Sequence, residues 1–278
     1  MSDASPTPAR AAPNGPAWRD DLAFAARHLV KRLRRTRRKR GSDPAAEAGG
    51  PLPRVGSTVE IDGIVMRVDA RMSPFNVRKL LDGRHTVQER TLLGRRLRED
   101  DRVMELGGGI GMVAIACAKR LGSERVVSYE PNPELEDLIR DNYALNGVSP
   151  SLRMAMVGRE AGTRTFHLAA RFSRSSAHMK EAGSRSVEVP VEPYGEAVRR
   201  ARPSVLVVDI QGGERELLEH ADLSGVRGLL IELHPFIIGL RAMLAIRRRL
   251  RRLGFVERDA LGSTFFYERP ATGRDGGS

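Results

Sequence analysis

The sequence predicts an α/β fold with a doubly wound, mostly parallel, seven-stranded sheet and a small N-terminal β-hairpin/helix extension. Three observations predict it. Apolar runs of strand length alternate with helical patterns from residue 102 onward. The first of these runs leads into a glycine-rich turn that opens a helix, and the second ends in an acid. Alternating strand–helix units need crossover helices, which build parallel sheets with ligand sites at the C-terminal ends of the strands.

Each element follows from local signals. VEIDGIVMRV, from Val59, alternates apolar residues around Asp62-Gly63, a two-residue hairpin signal. Thr86–Leu97 has a helical pattern. Strands are expected at Arg102–Leu106, Arg125–Tyr129, Leu152–Val157, Val205–Ile210 and Leu229–Leu233, and two short ones within Gly254–Arg269. Helices fit at Met112–Arg120, Pro133–Asn146 and Gly213–His220. The second is well marked: Asn132 suits an N-cap, Pro133 the first helical position, and Asn146-Gly147 the end.

The chain has 278 residues, enough for one α/β domain and an appendage. The expected division is a disordered or partly helical basic arm and linker at 1–54, one domain at 55–270, and a flexible tail at 271–278. Hydrophobic residues make up 40%, which supports a packed core. The single cysteine, Cys117, excludes an intramolecular disulfide framework and a cysteine-rich zinc site. No apolar run is long enough to span a bilayer, and no secretory signal is visible. The expectation is a cytoplasmic protein.

The net charge of +12 invites a nucleic-acid reading, but its distribution opposes one. Half of it lies in the first 50 residues, and Arg241–Arg252 adds six arginines without an acid. Aromatics are 5% and do not interleave with the bases. Trp18, Leu22, Ala25, Leu29 and Leu33 fall at helical spacing ahead of KRLRRTRRKR. Residues 18–40 therefore suit either peripheral contact with an anionic membrane or a solvated arm without a partner. The Arg247–Arg252 run reads as a solvated helix face or as a dock for an anionic acceptor. The polar segment Arg171–Lys180 is a candidate substrate loop.

The chemistry concentrates in one βαβ unit. Glu105 is followed by Gly107, Gly109 and Gly111. Glycines let a ligand approach the backbone, and the helix N-terminus offers free N–H groups. A dinucleotide pyrophosphate or S-adenosylmethionine would fit there. Glu105 opposes the first and suits the ammonium and sulfonium charges of the second. Glu130 closes the next strand, 19 residues after Gly111, where an acid can accept both ribose hydroxyls of either cofactor. Residues 109–114 also satisfy G-x-G-x-x-A. Downstream, Asp209-Ile210-Gln211-Gly212-Gly213-Glu214 and Glu232-Leu233-His234-Pro235 put polar side chains at two further strand ends.

Taken in order, ELGGGIG, YEPNP, a helix ending in LNG, VDIQGGE and IELHP resemble the FkbM-type, S-adenosylmethionine-dependent methyltransferases, over roughly Val59 to Tyr267. The resemblance implies a Rossmann-like class I methyltransferase domain, usually acting on hydroxyl oxygen. It implies that Glu105, Gly107, Gly109 and Gly111 line the methionine end of the cofactor. Glu130 would hold the ribose, with Asn132 near it. Asp209, Glu214, Glu232 and His234 would face the transferable methyl group. Two positions depart from the family pattern: Glu105 stands where aspartate is usual, and Gln211 where glutamate is usual.

The expected reaction is in-line methyl transfer to a hydroxyl of a glycan, glycolipid or secondary metabolite. His234 is the natural general base, with Asp209 holding the acceptor or orienting the base. Glu214 and Glu232 are expected to bind substrate. No metal is assigned; a metal-assisted variant on Asp209, Glu232 and His234 is the minor reading. Two other classes compete. An NAD(P)-dependent oxidoreductase of the short-chain type would need Tyr-x-x-x-Lys, and none of Tyr129, Tyr143, Tyr194 or Tyr267 has a lysine four residues later. A non-catalytic, methyltransferase-like binding module tethered by its basic arm would not bind S-adenosylmethionine.

Overall fold

The computed structural model describes residue 21, residues 50–168 and residues 184–270. The chain divides into two compact units, residues 1–42 and 43–278, and the fold below is that of the second. The remainder of the 18–40 arm, the 171–180 segment and the 271–278 tail lie outside the described residues.

The extension begins with a hairpin. β1 (Thr58–Ile61) and β2 (Ile64–Arg67) pair antiparallel, with Ile61 opposite Ile64. Asp62 and Gly63 both take left-handed φ values, 50° and 73°, as a turn matched to strand twist requires. Two helices follow. In α1 (Pro74–Leu81), Ser73 caps the first turn by accepting from the Asn76 N–H. α2 (Val87–Arg96) realises the helix expected at 86–97. Ile61, Ile64 and Met66 of the hairpin are buried in one core with Leu92, Ile115 and Ile139. The extension thus packs as part of the domain.

The main sheet has seven strands. β3 (Val103–Leu106) connects through α3 (Met112–Leu121) to β4 (Val126–Tyr129). A 3₁₀ turn (Pro133–Leu135) and α4 (Glu136–Leu145) lead on to β5 (Ser151–Arg153). The single strand expected at Leu152–Val157 is two. The Arg153 carbonyl accepts from both Glu130 N–H and Ala155 N–H, so the chain leaves the sheet there. It continues as β6 (Met156–Gly158), β7 (Gly162–Leu168) and β8 (Arg185–Pro193), a separate three-stranded sheet with β8 in the middle.

The chain then returns through α5 (Tyr194–Ala201) to β9 (Val205–Val208), α6 (Glu214–His220), β10 (Gly228–Glu232) and α7 (Pro235–Arg252). The antiparallel pair β11 (Val256–Leu261) and β12 (Thr264–Glu268) completes it. The order across the main sheet is β11-β12-β10-β9-β3-β4-β5, and β12 runs antiparallel to β10. Successive strands spread from β3 to one side and from β9 to the other. The order therefore reverses between β3 and β9, which leaves a crevice at their C-terminal ends.

The arginine block on α7 is not one solvated face. Arg247 is buried, donating to the Tyr267 hydroxyl at 3.0 Å and pairing with Glu257. Arg249 Nε donates to the Leu218 carbonyl. These two arginines hold α7 to its neighbours, which the i, i+1 spacing of the block could not reveal. No helix among the described residues is long and apolar enough to cross a membrane.

One buried side chain ties the extension to the site. Asn142 Oδ1 accepts from Arg67 N–H of β2, and its Nδ2 donates to the Ile110 carbonyl in the glycine turn, both at 2.9 Å. Asn142→Ala strands two backbone groups and is expected to cost about 2 kcal/mol in denaturant unfolding. A loss within experimental error would show that the hairpin needs no such tie.

Candidate active site

The glycine turn after β3 is closed by backbone contacts. Gly107 and Gly108 N–H groups both donate to the Tyr129 carbonyl of β4. Gly107 has φ +91°, and a Cβ there would stand 2.0 Å from the Asp209 carbonyl oxygen. Asp209 N–H in turn donates to the Leu106 carbonyl. The turns after β3 and β9 therefore touch at the crevice, and only a residue without a side chain fits between them.

Glu130 lies beside this turn. Its carboxylate accepts from Gly109 N–H at 2.7 Å and from Asn132 N–H at 2.8 Å. Burial pushes its pKa up to about 7, against the pull of those two amides. Glu105 is buried beneath the turn, where the Ser128 hydroxyl donates to it. Burial pushes it up to about 7 as well, with the Glu130 and Glu89 charges adding to the rise. The Asn132 side chain caps the following 3₁₀ turn by accepting from Glu134 N–H, while its backbone holds Glu130.

A cavity opens over these strand ends. Gly107, Glu130, Asp209 and Gln211 line it, and Met156, Arg164, Phe166 and Tyr194 contribute from the small sheet and α5. Arg164 meets Glu216 of α6 in a two-pronged ion pair, both contacts at 2.9 Å, which fastens the small sheet along this cavity. Sequence reasoning did not find these residues. No strand was expected at Gly162–Leu168, and nothing in that segment says that it faces the crevice.

The second cluster gathers around His234. Register places it: β9 and β10 run parallel with Val208 beside Ile231, so Asp209 and Glu232 emerge together. His234 follows at the start of α7. Its Nδ1 is 2.5 Å from Glu214 Oε1, and its Nε2 is 3.4 Å from Asp209 Oδ1 and 3.8 Å from Glu232 Oε2. Glu214 is fully buried, and Glu232 accepts from the Ser263 hydroxyl. All four polar residues expected at these strand ends thus converge.

Burial lowers the His234 pKa, but the Glu214 hydrogen bond and the charges of Asp209 and Glu232 outweigh it and bring it to about 9. Burial and the Glu232 charge hold Asp209 well above the ordinary carboxylate range, with His234 opposing. Gln211 Nε2 lies 3.2 Å from Asp209 Oδ1 and 2.8 Å from His234 Nε2. The amide nitrogen donates to Asp209 Oδ1, and it can donate to His234 Nε2 only when that nitrogen is unprotonated; a half-turn of the amide serves a protonated Nε2 but sets Oε1 against Asp209 Oδ1, two acceptors. Gln211 itself sits at φ 46°, a left-handed position.

The two residues expected to carry catalysis, His234 and Asp209, stand side by side. His234 lies between three acids, and of these four residues it is Asp209 that lines the cavity.

The fit to S-adenosylmethionine can be tested on these residues. Two buried carboxyls, Glu105 and Glu130, flank a turn whose backbone is bare of side chains, and Glu130 has lone pairs beyond the two it uses. No phosphate is favoured beside two acids, whereas a cationic, ribose-bearing ligand is.

Comparison with known proteins identifies the family. The methyltransferase FkbM domain matches residues 108–257. The chain is 40% identical over 53 residues to the protein-lysine N-methyltransferase EFM3 of Chaetomium thermophilum, 19% of this chain and 16% of that protein. It is 41% identical over 49 residues to the putative protein N5-glutamine methyltransferase MJ0928 of Methanocaldococcus jannaschii, 18% of this chain and 24% of that one. These matches span less than a quarter of either relative. Among solved structures, M. jannaschii TYW2 in complex with AdoMet aligns over 78% of this chain and 88% of its own, with 14% identity and a TM-score of 0.39. The Pyrococcus abyssi tRNA (uracil-54, C5)-methyltransferase in complex with S-adenosyl-L-homocysteine aligns over 77% and 43%, with 10% identity and a TM-score of 0.44.

Proposed function

We propose that this chain, which belongs to the methyltransferase FkbM domain family, transfers the methyl group of S-adenosylmethionine to a hydroxyl oxygen of a glycan, glycolipid or secondary metabolite. The observation that carries this reading is Asp209, a cavity-lining carboxylate beside the glycine turn with a fixed histidine behind it. S-adenosylmethionine supplies an electrophilic methyl group on a sulfonium centre.

The protein's own residues do the rest. Glu130 accepts the ribose hydroxyls, and the bare turn from Gly107 to Gly111 accommodates the methionine end. Glu105 does not reach the cavity; its charge acts from beneath the turn. Asp209 Oδ1 faces His234 and Gln211, which leaves Oδ2 to hold the acceptor hydroxyl and take its proton as the oxygen attacks. His234, gripped by Glu214, is a positioning residue that holds Asp209 in place. Orientation of this kind supplies several kcal/mol of the barrier reduction.

The test is a screen of the full chain with methyl-labelled S-adenosylmethionine against hydroxyl acceptors (sugars, glycolipids, small alcohols) and against protein side-chain nitrogens. Labelled methyl ethers are expected. Label found only on lysine or glutamine nitrogen would replace the hydroxyl reading with a protein-directed one.

Glu130 also sets a pH dependence. Ribose hydroxyls donate to its ionised form, and its pKa without ligand is about 7. Binding should therefore release a proton, and affinity for S-adenosylhomocysteine should rise about tenfold from pH 6 to pH 8. Glu130→Gln cannot titrate there and should bind more weakly with a flatter profile. A profile in the unaltered chain as flat as the variant's would remove Glu130 from the ribose.

A further inference from the structure

We propose that Asp209, Glu232 and His234 form a binding site for one divalent cation of the manganese type, with Glu214 orienting the histidine ring. The inference concerns the chain itself and does not rest on the hydroxyl reading. The sequence reading assigned no metal and kept this triad as its minor alternative, because spacing along the chain could not show that the turn after β9, the end of β10 and the start of α7 meet.

Geometry comes first. One ligand atom from each of the three residues lies within 4.8 Å of the other two. His234 Nε2 stands 3.4 Å from Asp209 Oδ1 and 3.8 Å from Glu232 Oε2. On an octahedral ion with bonds of about 2.1 Å, neighbouring ligand atoms are about 3 Å apart and opposite ones about 4.2 Å. The observed spacings are close to that range, so small side-chain rotations would close the set. The donors come from two turns and a strand end fixed by sheet register.

A second observation concerns the residue behind the histidine ring. Glu214 is fully buried, with Oε1 on His234 Nδ1 and Oε2 without a hydrogen-bond partner. A buried carboxylate on the far nitrogen of a histidine is the usual outer support of a metal-binding imidazole, fixing the tautomer and aiming the other nitrogen at the ion. Here that other nitrogen is the one facing Asp209 and Glu232. Charge points the same way. Among the described residues, the ion pairs of Asp209, Glu214 and Glu232 are all with His234, so three carboxylates share one imidazole.

The donor set narrows the ion. Two carboxylate oxygens and one imidazole nitrogen suit a hard to borderline divalent metal better than a soft one, and no thiolate takes part. Gln211 adds a neutral oxygen once its amide is turned, where a glutamate would add further charge.

The test is titration of the full chain, stripped with chelator and dialysed, with Mn²⁺ alone, free Mn²⁺ being read by its paramagnetic resonance signal. One Mn²⁺ per chain with a micromolar dissociation constant is expected. Glu232→Gln should weaken it at least about tenfold by removing a ligand, and Glu214→Gln by about 10- to 100-fold by releasing the ring. S-adenosylhomocysteine binding by each variant verifies its fold; His234→Gln replaces any variant that fails this check. Absence of Mn²⁺ binding at millimolar concentration in a chain that binds S-adenosylhomocysteine would overturn the proposal. So would Mn²⁺ binding that Glu232→Gln and Glu214→Gln leave unchanged. Because no acceptor is present, failure of the hydroxyl reading leaves this result standing, and the reverse holds too.

Discussion

Gly107→Ala is expected to abolish measurable S-adenosylhomocysteine binding and to destabilise the domain by about 3 kcal/mol or more. Two costs add. A φ of +91° lies beyond the small left-handed basin open to L-residues, a strain of order 1–2 kcal/mol. The new methyl group would also meet the Asp209 carbonyl oxygen at 2.0 Å, and that oxygen is backbone, so it moves only if the turn after β9 moves. Relief would pull the β3 and β9 turns apart, at the crevice where the cofactor must lie. Gly109→Ala is the control. Its φ of +55° falls inside the left-handed basin, and nothing lies within 4 Å of its Cβ position, so the expected stability cost is about 1 kcal/mol. Denaturant unfolding and ligand titration of both variants decide the matter. Equal losses at the two positions would mean that the contact with Asp209 plays no part.

Asp209→Asn is expected to lower methyl transfer about 10²- to 10⁴-fold, the range for loss of a positioned proton acceptor. The amide has nearly the shape of the carboxylate, so packing around the turn is kept and affinity for S-adenosylhomocysteine should stay within about threefold. The loss should appear in kcat, because the carboxylate's advantage grows as the hydroxyl gives up its proton. The reaction is followed with an acceptor identified by the labelled screen. A variant retaining more than a tenth of the turnover would exclude Asp209 as proton acceptor and shift attention to solvent or to Glu232.

The glycine turn and the acids around it were largely legible because their signals are local. A glycine turn, the helix it opens and the acid ending the next strand lie within one unit of about 30 residues, where chain connectivity keeps neighbours in space. Glu130 and Gly107 were placed at the glycine turn in this way. Glu105 was found too, but its placement beneath the turn was not, since spacing does not say which side of a turn a strand-end acid faces. Asn132 was read correctly as a cap, and its backbone hold on Glu130 follows from the same position. The acceptor half was legible only as residue types. Asp209, Glu214, Glu232 and His234 could be named, but not their mutual order. That order made Asp209 the lining acid and His234 a ring held between acids.

By itself, then, the sequence determined the alternation of strands and helices, the hairpin at Asp62-Gly63, the caps and the glycine turn. Each depends on periodicity or backbone preference over a few residues. Only the tertiary structure decided that the chain leaves the sheet after Arg153 to form a second one, that Arg247 turns inward, and that three acids surround one histidine. The first depends on the turn in which Ala155 N–H joins Glu130 N–H on the Arg153 carbonyl, the second on the Tyr267 and Glu257 groups beneath α7, and the third on the register of β9 against β10. These contacts join residues brought close by packing rather than by chain proximity, and no local pattern encodes which partner each will meet.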